Sequence, residues 1–185
     1  MQIAQSNQLR LRTLRTSDAE NMLPYFSDPE VCRFIPWEPR GIEGVNTFLT
    51  EVSDQHVPKK DGDDLVLGIE HLNHGVIGQL KMFYRSQLNG MVEVGYVINP
   101  VFSGRGFVTQ ALGLFIDWIF QFLPARRITA QVDQRNLPSS KVLRRLGFRL
   151  EATEIDREWF KGEYCTMETY ALLKSEWRGA ELVNS

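Results

Sequence analysis

"MVEVGYVINPVFSGRGFVTQALGLFIDWIFQFLP" (residues 91–124) runs from a short apolar stretch, past an Asn-Pro break and a Ser-Gly-Arg-Gly turn, into a long apolar segment. Residues 91–98 have the valine, tyrosine and isoleucine content of a buried strand. From 106 to 122 the apolar residues go nearly all round, leaving a polar stripe at Gln110, Gly113, Asp117 and Gln121. That pattern predicts a helix packed against a sheet. A helix N-terminus offers unpaired N–H groups and the positive end of the helix dipole. Gly104 and Gly106 would let that backbone approach an anion with no Cβ in the way. The stretch is therefore a candidate pyrophosphate cradle, with a plain structural turn as the equal alternative. It is not a Walker A loop, because no Gly-Lys-Ser/Thr follows, and residue 109 is Thr where a dinucleotide fingerprint needs a third glycine.

Working outward, "RRITAQVD" (126–133) reads as a strand after Pro124, so residues 91–133 should form a right-handed parallel crossover. Upstream, 65–72 and 76–85 flank an Asn-His-Gly turn and predict a hairpin. His71 and His74 are expected at that turn, exposed to solvent. Residues 8–15 alternate as a half-buried strand. Ser17 and Glu20 suggest a capping box, Asp28-Pro29 a second helix start, and 42–55 a third helix. Downstream, "NLPSSKVLRRLGF" (136–148) predicts a short helix stopped by Gly147, and two last strands should flank the turn at 161–162. The expected fold class is α+β, with one mixed, mostly antiparallel sheet.

The chain has 185 residues, 43% hydrophobic and 24% charged, which fits one globular domain over 1–185. A formal net charge of −2 implies no general attraction to nucleic acid or to an acidic membrane. Two cysteines, Cys32 and Cys165, fit free thiols in a reducing cytoplasm better than a disulfide framework. The N-terminus lacks the apolar core of a signal peptide, and 111–123 is too short to span a bilayer. The two histidines near one turn are too few for a metal site, so no metal is expected.

Three motifs together carry a resemblance. "EVGY" (93–96), "SGRGFVTQA" (103–111) and the Asn136–Phe148 segment resemble the GCN5-related N-acetyltransferase (GNAT) superfamily, in particular its RimJ/RimL-type branch. The likeness covers about residues 8–177, including "SDPEVCRFIPWEP" and "FKGEYCTMETYALLKSEW". Ser103, Val108, Gln110 and Thr166 depart from the branch's preferences, and Val108 would bear on cosubstrate affinity.

The resemblance implies a single-domain GNAT-like fold with a splayed parallel strand pair. It implies an enzyme that uses acetyl-CoA, with no metal, to acetylate a primary amine. The acceptor would be a protein N-terminus, such as that of a ribosomal protein, or a small molecule, and the protein a monomer or homodimer. Val97 and Ile98 would contact the pantetheine. Ser103, Gly104, Arg105, Gly106, Phe107, Val108 and Thr109 would hold the pyrophosphate, with Asn136 and Lys141 nearby. Glu93 would be the base, or else a structural carboxylate paired with a neighbouring strand. Ser139 would serve the leaving thiolate, or else cap its helix. Tyr96 would be a second proton donor, or else a core tyrosine. Phe34, Trp37, Trp159, Phe160 and Tyr164 would form an aromatic acceptor rim, or else be core residues, with Glu38, Asp156 and Glu158 attracting a cation and Glu93 on the acceptor side. A catalytically silent acyl-CoA-binding module is the competing reading.

Overall fold

In the computed structural model, which describes residues 1–180, the decisive stretch forms strand β5 (Met91–Ile98) and helix α4 (Phe107–Phe122). The expected domain's last five residues, 181–185, lie outside the described ones. Before β5 come β1 (Gln2–Gln5), β2 (Leu9–Thr13), α1 (Ala19–Phe26), α2 (Pro29–Cys32), α3 (Ile42–Val52), β3 (Asp64–His71) and β4 (Gly75–Ser86). After α4 come β6 (Arg127–Asp133), α5 (Leu137–Arg145), β7 (Arg149–Phe160) and β8 (Glu163–Leu173). One eight-stranded sheet has the order β1-β2-β3-β4-β5-β6-β8-β7. Only β5 and β6 pair in parallel, joined through α4.

The period-2 alternation of the strands divides the core into two layers. Val92 and Val94 face a cluster containing Leu112, Phe115, Ile116 and Ile119 of α4 and Leu143 of α5. Val97 points the other way, into a cluster with Met22 and Tyr25 of α1 and Val45 and Leu49 of α3. Helix α4 is apolar nearly all round because Trp177 and Ala180 also pack on it. Trp177 Nε1 and the Ala180 backbone N–H donate to the Asp117 carboxylate, at 2.6 and 3.1 Å.

Three local expectations are corrected. A strand, β1, precedes the expected first one and pairs with β2 across a bulge between Gln2 and Ala4. Its four residues are too few to show a period. A short 3-10 turn at Thr16–Asp18, not the Ser17–Glu20 box, leads into α1, and the Asp18 carboxylate accepts from the Arg15 N–H at 2.8 Å. His71 is buried, 8% exposed, because the last residue of β3 packs edge-on against Phe107 at the start of α4.

Asp18 has a further role. Arg12 on β2 donates to both of its oxygens at 2.8 Å and to Glu70 on β3 at 2.9 Å, with Arg12 and Asp18 each 5% exposed. A buried charge that loses a partner is costly. Asp18→Asn leaves Glu70 in place and should cost about 2 kcal/mol, read as a lower urea midpoint with unchanged slope. Arg12 also holds the Glu70 carboxyl below its ordinary range. That contribution is complete above the unfolded carboxyl value, about pH 4.3, and fades as pH falls through the depressed folded value.

Candidate active site

β5 and β6 stay in register for three pairs, from Met91↔Arg127 to Glu93↔Thr129. Beyond Glu93 they part. β5 continues beside β4 as far as Ile98, and β6 beside β8 as far as Asp133. The Asn99 N–H donates to Ile77 of β4, whereas the Val92 carbonyl faces Thr129 of β6. Backbone groups alternate along a strand, so those of Val94, Tyr96 and Ile98 face the gap. Those of Val97 face β4, although Val97 also lines the cavity described next. Ile98 therefore has a free backbone edge for an extended ligand, and Tyr96 rather than Val97 shares it.

The gap opens into a cavity of about 540 Å³. Tyr96, Val97 and Ile98 line it from β5. Ser103, Gly104 and Gly106 through Thr109 line it from the turn, Asn136, Ser139, Lys141 and Arg145 from α5 and its cap, and Glu30, Val31, Phe34 and Ile35 from α2 and the segment after it. Gly104 and Gly106 sit at φ 74° and 80°, a conformation that favours glycine. A Cβ at either would meet no atom within 4 Å, so no packing contact demands glycine here. What their bare backbone adjoins is the cavity and the N-terminus of α4. Arg105 turns out of the lining, its guanidinium 5.8 Å from the centre of the Phe102 ring.

At the other side of the gap, Asn136 caps α5 by accepting from the Ser139 N–H at 3.3 Å. The Ser139 side chain is thus released from capping and meets the Tyr96 hydroxyl at 2.8 Å. That hydroxyl also donates to the Ser139 carbonyl at 2.9 Å. A tyrosine has one hydroxyl proton and a carbonyl can only accept. The Ser139 hydroxyl must then donate to Tyr96 in this arrangement. Burial pushes the Tyr96 hydroxyl above the ordinary tyrosine range, so it stays protonated.

Glu93 points to the opposite face from Tyr96 and is held by Arg85 of β4 in two bonds, at 2.9 and 3.1 Å. The aromatic candidates lie apart. Trp37 stacks on Phe26, centroids 5.4 Å apart, and Trp159 meets Tyr164 edge-on at the exposed end of the last hairpin. Neither lines the cavity, whereas Phe34 does. Cys165 is buried, accepts from Arg135 at 3.1 Å, and has its thiol pushed up by burial, which does not suit a nucleophile. Among the described residues, no group of three His, Cys, Asp or Glu side chains could hold a metal ion. None of their helices is long and apolar enough to cross a membrane.

A glycine turn at a helix start, beside a parted parallel pair with a free strand edge, is the arrangement that the resemblance to the GNAT superfamily implies. The comparisons agree. Residues 8–149 match the family model described as an acetyltransferase (GNAT) domain. The Bacillus licheniformis protein named "Uncharacterized N-acetyltransferase p20" is 29% identical over 97% of this chain and 100% of its own. The structure of RimL, a ribosomal L7/L12 alpha-N-protein acetyltransferase in complex with coenzyme A, superposes with a TM-score of 0.81 at 21% identity, over 94% of this chain and 98% of RimL. Spermidine N-acetyltransferase from Vibrio cholerae, in complex with CoA and spermine, gives 0.77 at 17% identity, over 92% and 98%.

The chain belongs to the GNAT acetyltransferases. It is an acetyl-CoA-dependent N-acetyltransferase, with acetyl-CoA as its cosubstrate.

Proposed function

We propose that the protein moves the acetyl group directly from acetyl-CoA to a primary amine, either the N-terminus of a protein such as a ribosomal protein or a small-molecule amine. The observation that carries this reading is the continuity of one cavity. Its wall runs from the Gly104–Gly106 turn, along the free edge of β5, to the Tyr96–Ser139 pair. Backbone N–H groups at the start of α4 would hold the pyrophosphate. The edge at Tyr96 and Ile98 would pair with the pantetheine amides as an added strand would, and Asn136 and Lys141 would border the nucleotide. Attack of the amine nitrogen on the thioester carbonyl forms the C–N bond. Collapse of the resulting oxyanion breaks the C–S bond, and the thiolate takes a proton. Backbone N–H groups facing the gap are placed to stabilise the oxyanion. Ser139 supplies the thiolate's proton once its hydroxyl turns from Tyr96 to the sulfur, and Tyr96, turning its own proton from the Ser139 carbonyl to the serine oxygen, stands behind it as the second donor.

The acceptor would come from the Glu93 face. Both Glu93 carboxylate oxygens are engaged by Arg85. Glu93 therefore removes the amine's proton, directly or through water, only after Arg85 swings away. Arg85→Gln should raise the rate by freeing the Glu93 carboxylate, and Glu93→Gln should flatten the rise of rate with pH. The pH profiles of the two variants check this, and identical profiles would exclude Glu93. The same ion pair favours the second reading, a catalytically silent acyl-CoA-binding module, in which Glu93 stays locked.

Acetyl-CoA at ~100 times its dissociation constant should stabilise the fold by about 2.7 kcal/mol, seen as a raised Tm. A screen of N-terminal peptides and polyamines for CoA release then separates the readings. Binding with no release from any amine would favour the silent module, and no binding would end both.

A further inference from the structure

Lys161 lies in the turn between β7 and β8 and reaches back across the sequence. Its Nζ donates to the backbone carbonyls of Cys32 and Trp37, each at 2.8 Å, and stands 3.3 Å from the Glu38 carboxylate. The Lys161 side chain is 22% exposed, whereas that of Glu38 is 79% exposed. An ion pair with so exposed a partner contributes little, but hydrogen bonds from a charged ammonium are among the stronger ones, and the one to Cys32 is partly buried. The two carbonyls bracket the segment that carries Phe34 and Ile35, and with α2 that segment forms one wall of the cavity.

Packing of Val31, Ile35 and Trp37 on the core holds that wall from one side, and few polar bonds add to it. Helix α2 has four residues, too few to be stable alone. Within 33–37 the backbone makes one local bond, from the Ile35 N–H to Cys32. Trp37 is anchored by its stack on Phe26, and the Cys32 thiol by the Phe26 carbonyl. Phe34 lies between these anchors, under Arg33 and Arg135 at 5.2 and 6.0 Å. The Lys161 ammonium is the group that joins both ends of the span to the sheet. Because β7 is an exposed edge strand, the same bonds also fix the end of the last hairpin.

We propose that Lys161 is a positioning residue: it clasps the Cys32–Trp37 segment to the β7–β8 turn, and the clasp sets the opening through which the amine acceptor reaches the cavity. This rests on the proposed transfer to an amine. It explains why Phe34 lines the cavity while Trp37 and Trp159, on either side of the clasp, do not.

The test compares Lys161→Met and Glu38→Gln with the parent protein in the full chain. Amide exchange over 33–37 should quicken about tenfold or more in Lys161→Met, with α4 unchanged. Acceptor KM should rise about tenfold, while kcat and the acetyl-CoA dissociation constant each move less than about threefold. Glu38→Gln should behave as the parent. Unchanged exchange over 33–37 in Lys161→Met would overturn the clasp. Equal loss of acetyl-CoA affinity and acceptor KM would reduce Lys161 to general structure. A Glu38→Gln variant that reproduces Lys161→Met would assign the effect to the ion pair. Exchange and acetyl-CoA binding need no acceptor. If no amine is acetylated by the parent, the transfer reading fails, and the exchange result still decides the clasp.

Discussion

Gly106→Asp should weaken acetyl-CoA binding by about a hundredfold or more while the fold persists. Two effects act on the ligand side. The carboxylate would project beside the N–H groups expected to hold a pyrophosphate, placing like charges together. The left-handed backbone at φ 80° would resist a Cβ, and relief of that strain would turn the turn's N–H groups away. Against the fold the change costs about 1–2 kcal/mol of backbone strain but no packing clash, because a Cβ there meets nothing within 4 Å. Titration calorimetry with acetyl-CoA and a urea melt of the unliganded protein give the two numbers. Equal losses in both would make the glycine a structural turn residue and empty the cradle of its role.

The second large effect concerns the leaving thiolate. Ser139→Ala should lower kcat by about 100- to 10,000-fold, the range of general acid contributions, with little change in acetyl-CoA affinity. Capping would be spared, because Asn136 is the cap. Tyr96→Phe removes the hydroxyl behind the serine and should cost less, about tenfold. The double variant should fall no further than Ser139→Ala, since the two hydroxyls act through one contact at 2.8 Å. The high position of the Tyr96 hydroxyl means that it does not ionise near neutrality, so Tyr96→Phe should leave the shape of the pH profile intact. Additive losses, or a Ser139→Ala loss confined to acetyl-CoA affinity, would break the assignment. Single-turnover measurements with a verified acceptor separate the two.

The parts of the site legible in the sequence are those set by neighbours in the chain. The Gly104–Gly106 turn, the apolar α4 and the Asn136 cap each follow from a few consecutive residues. The parallel β5–β6 pair follows from the handedness of its crossover, and the parting of the strands came only from the resemblance. What the sequence hid depends on distant partners. Arg85 is eight residues from Glu93, yet only the β4–β5 register shows that the two meet. Lys161 and Cys32 lie 129 residues apart, and no periodicity connects them. His71 was expected in water because it adjoins a turn, but β3 ends on the side where α4 begins. The aromatic residues read as an acceptor rim were chosen by type. Packing on Phe26 and Tyr164 took Trp37 and Trp159 elsewhere.

The alternation along β5 sends Glu93 and Tyr96 to opposite faces of the sheet, and this has a consequence for traffic. If Glu93 takes the amine's proton and Ser139 with Tyr96 serves the sulfur, as proposed, acceptor and donor lie on opposite faces and one group cannot pass its proton straight to the other. The proton lost by the amine and the proton gained by sulfur would then be different protons. An acceptor coming from the Glu93 face would meet the cosubstrate without displacing it, so neither would have to leave before the other enters.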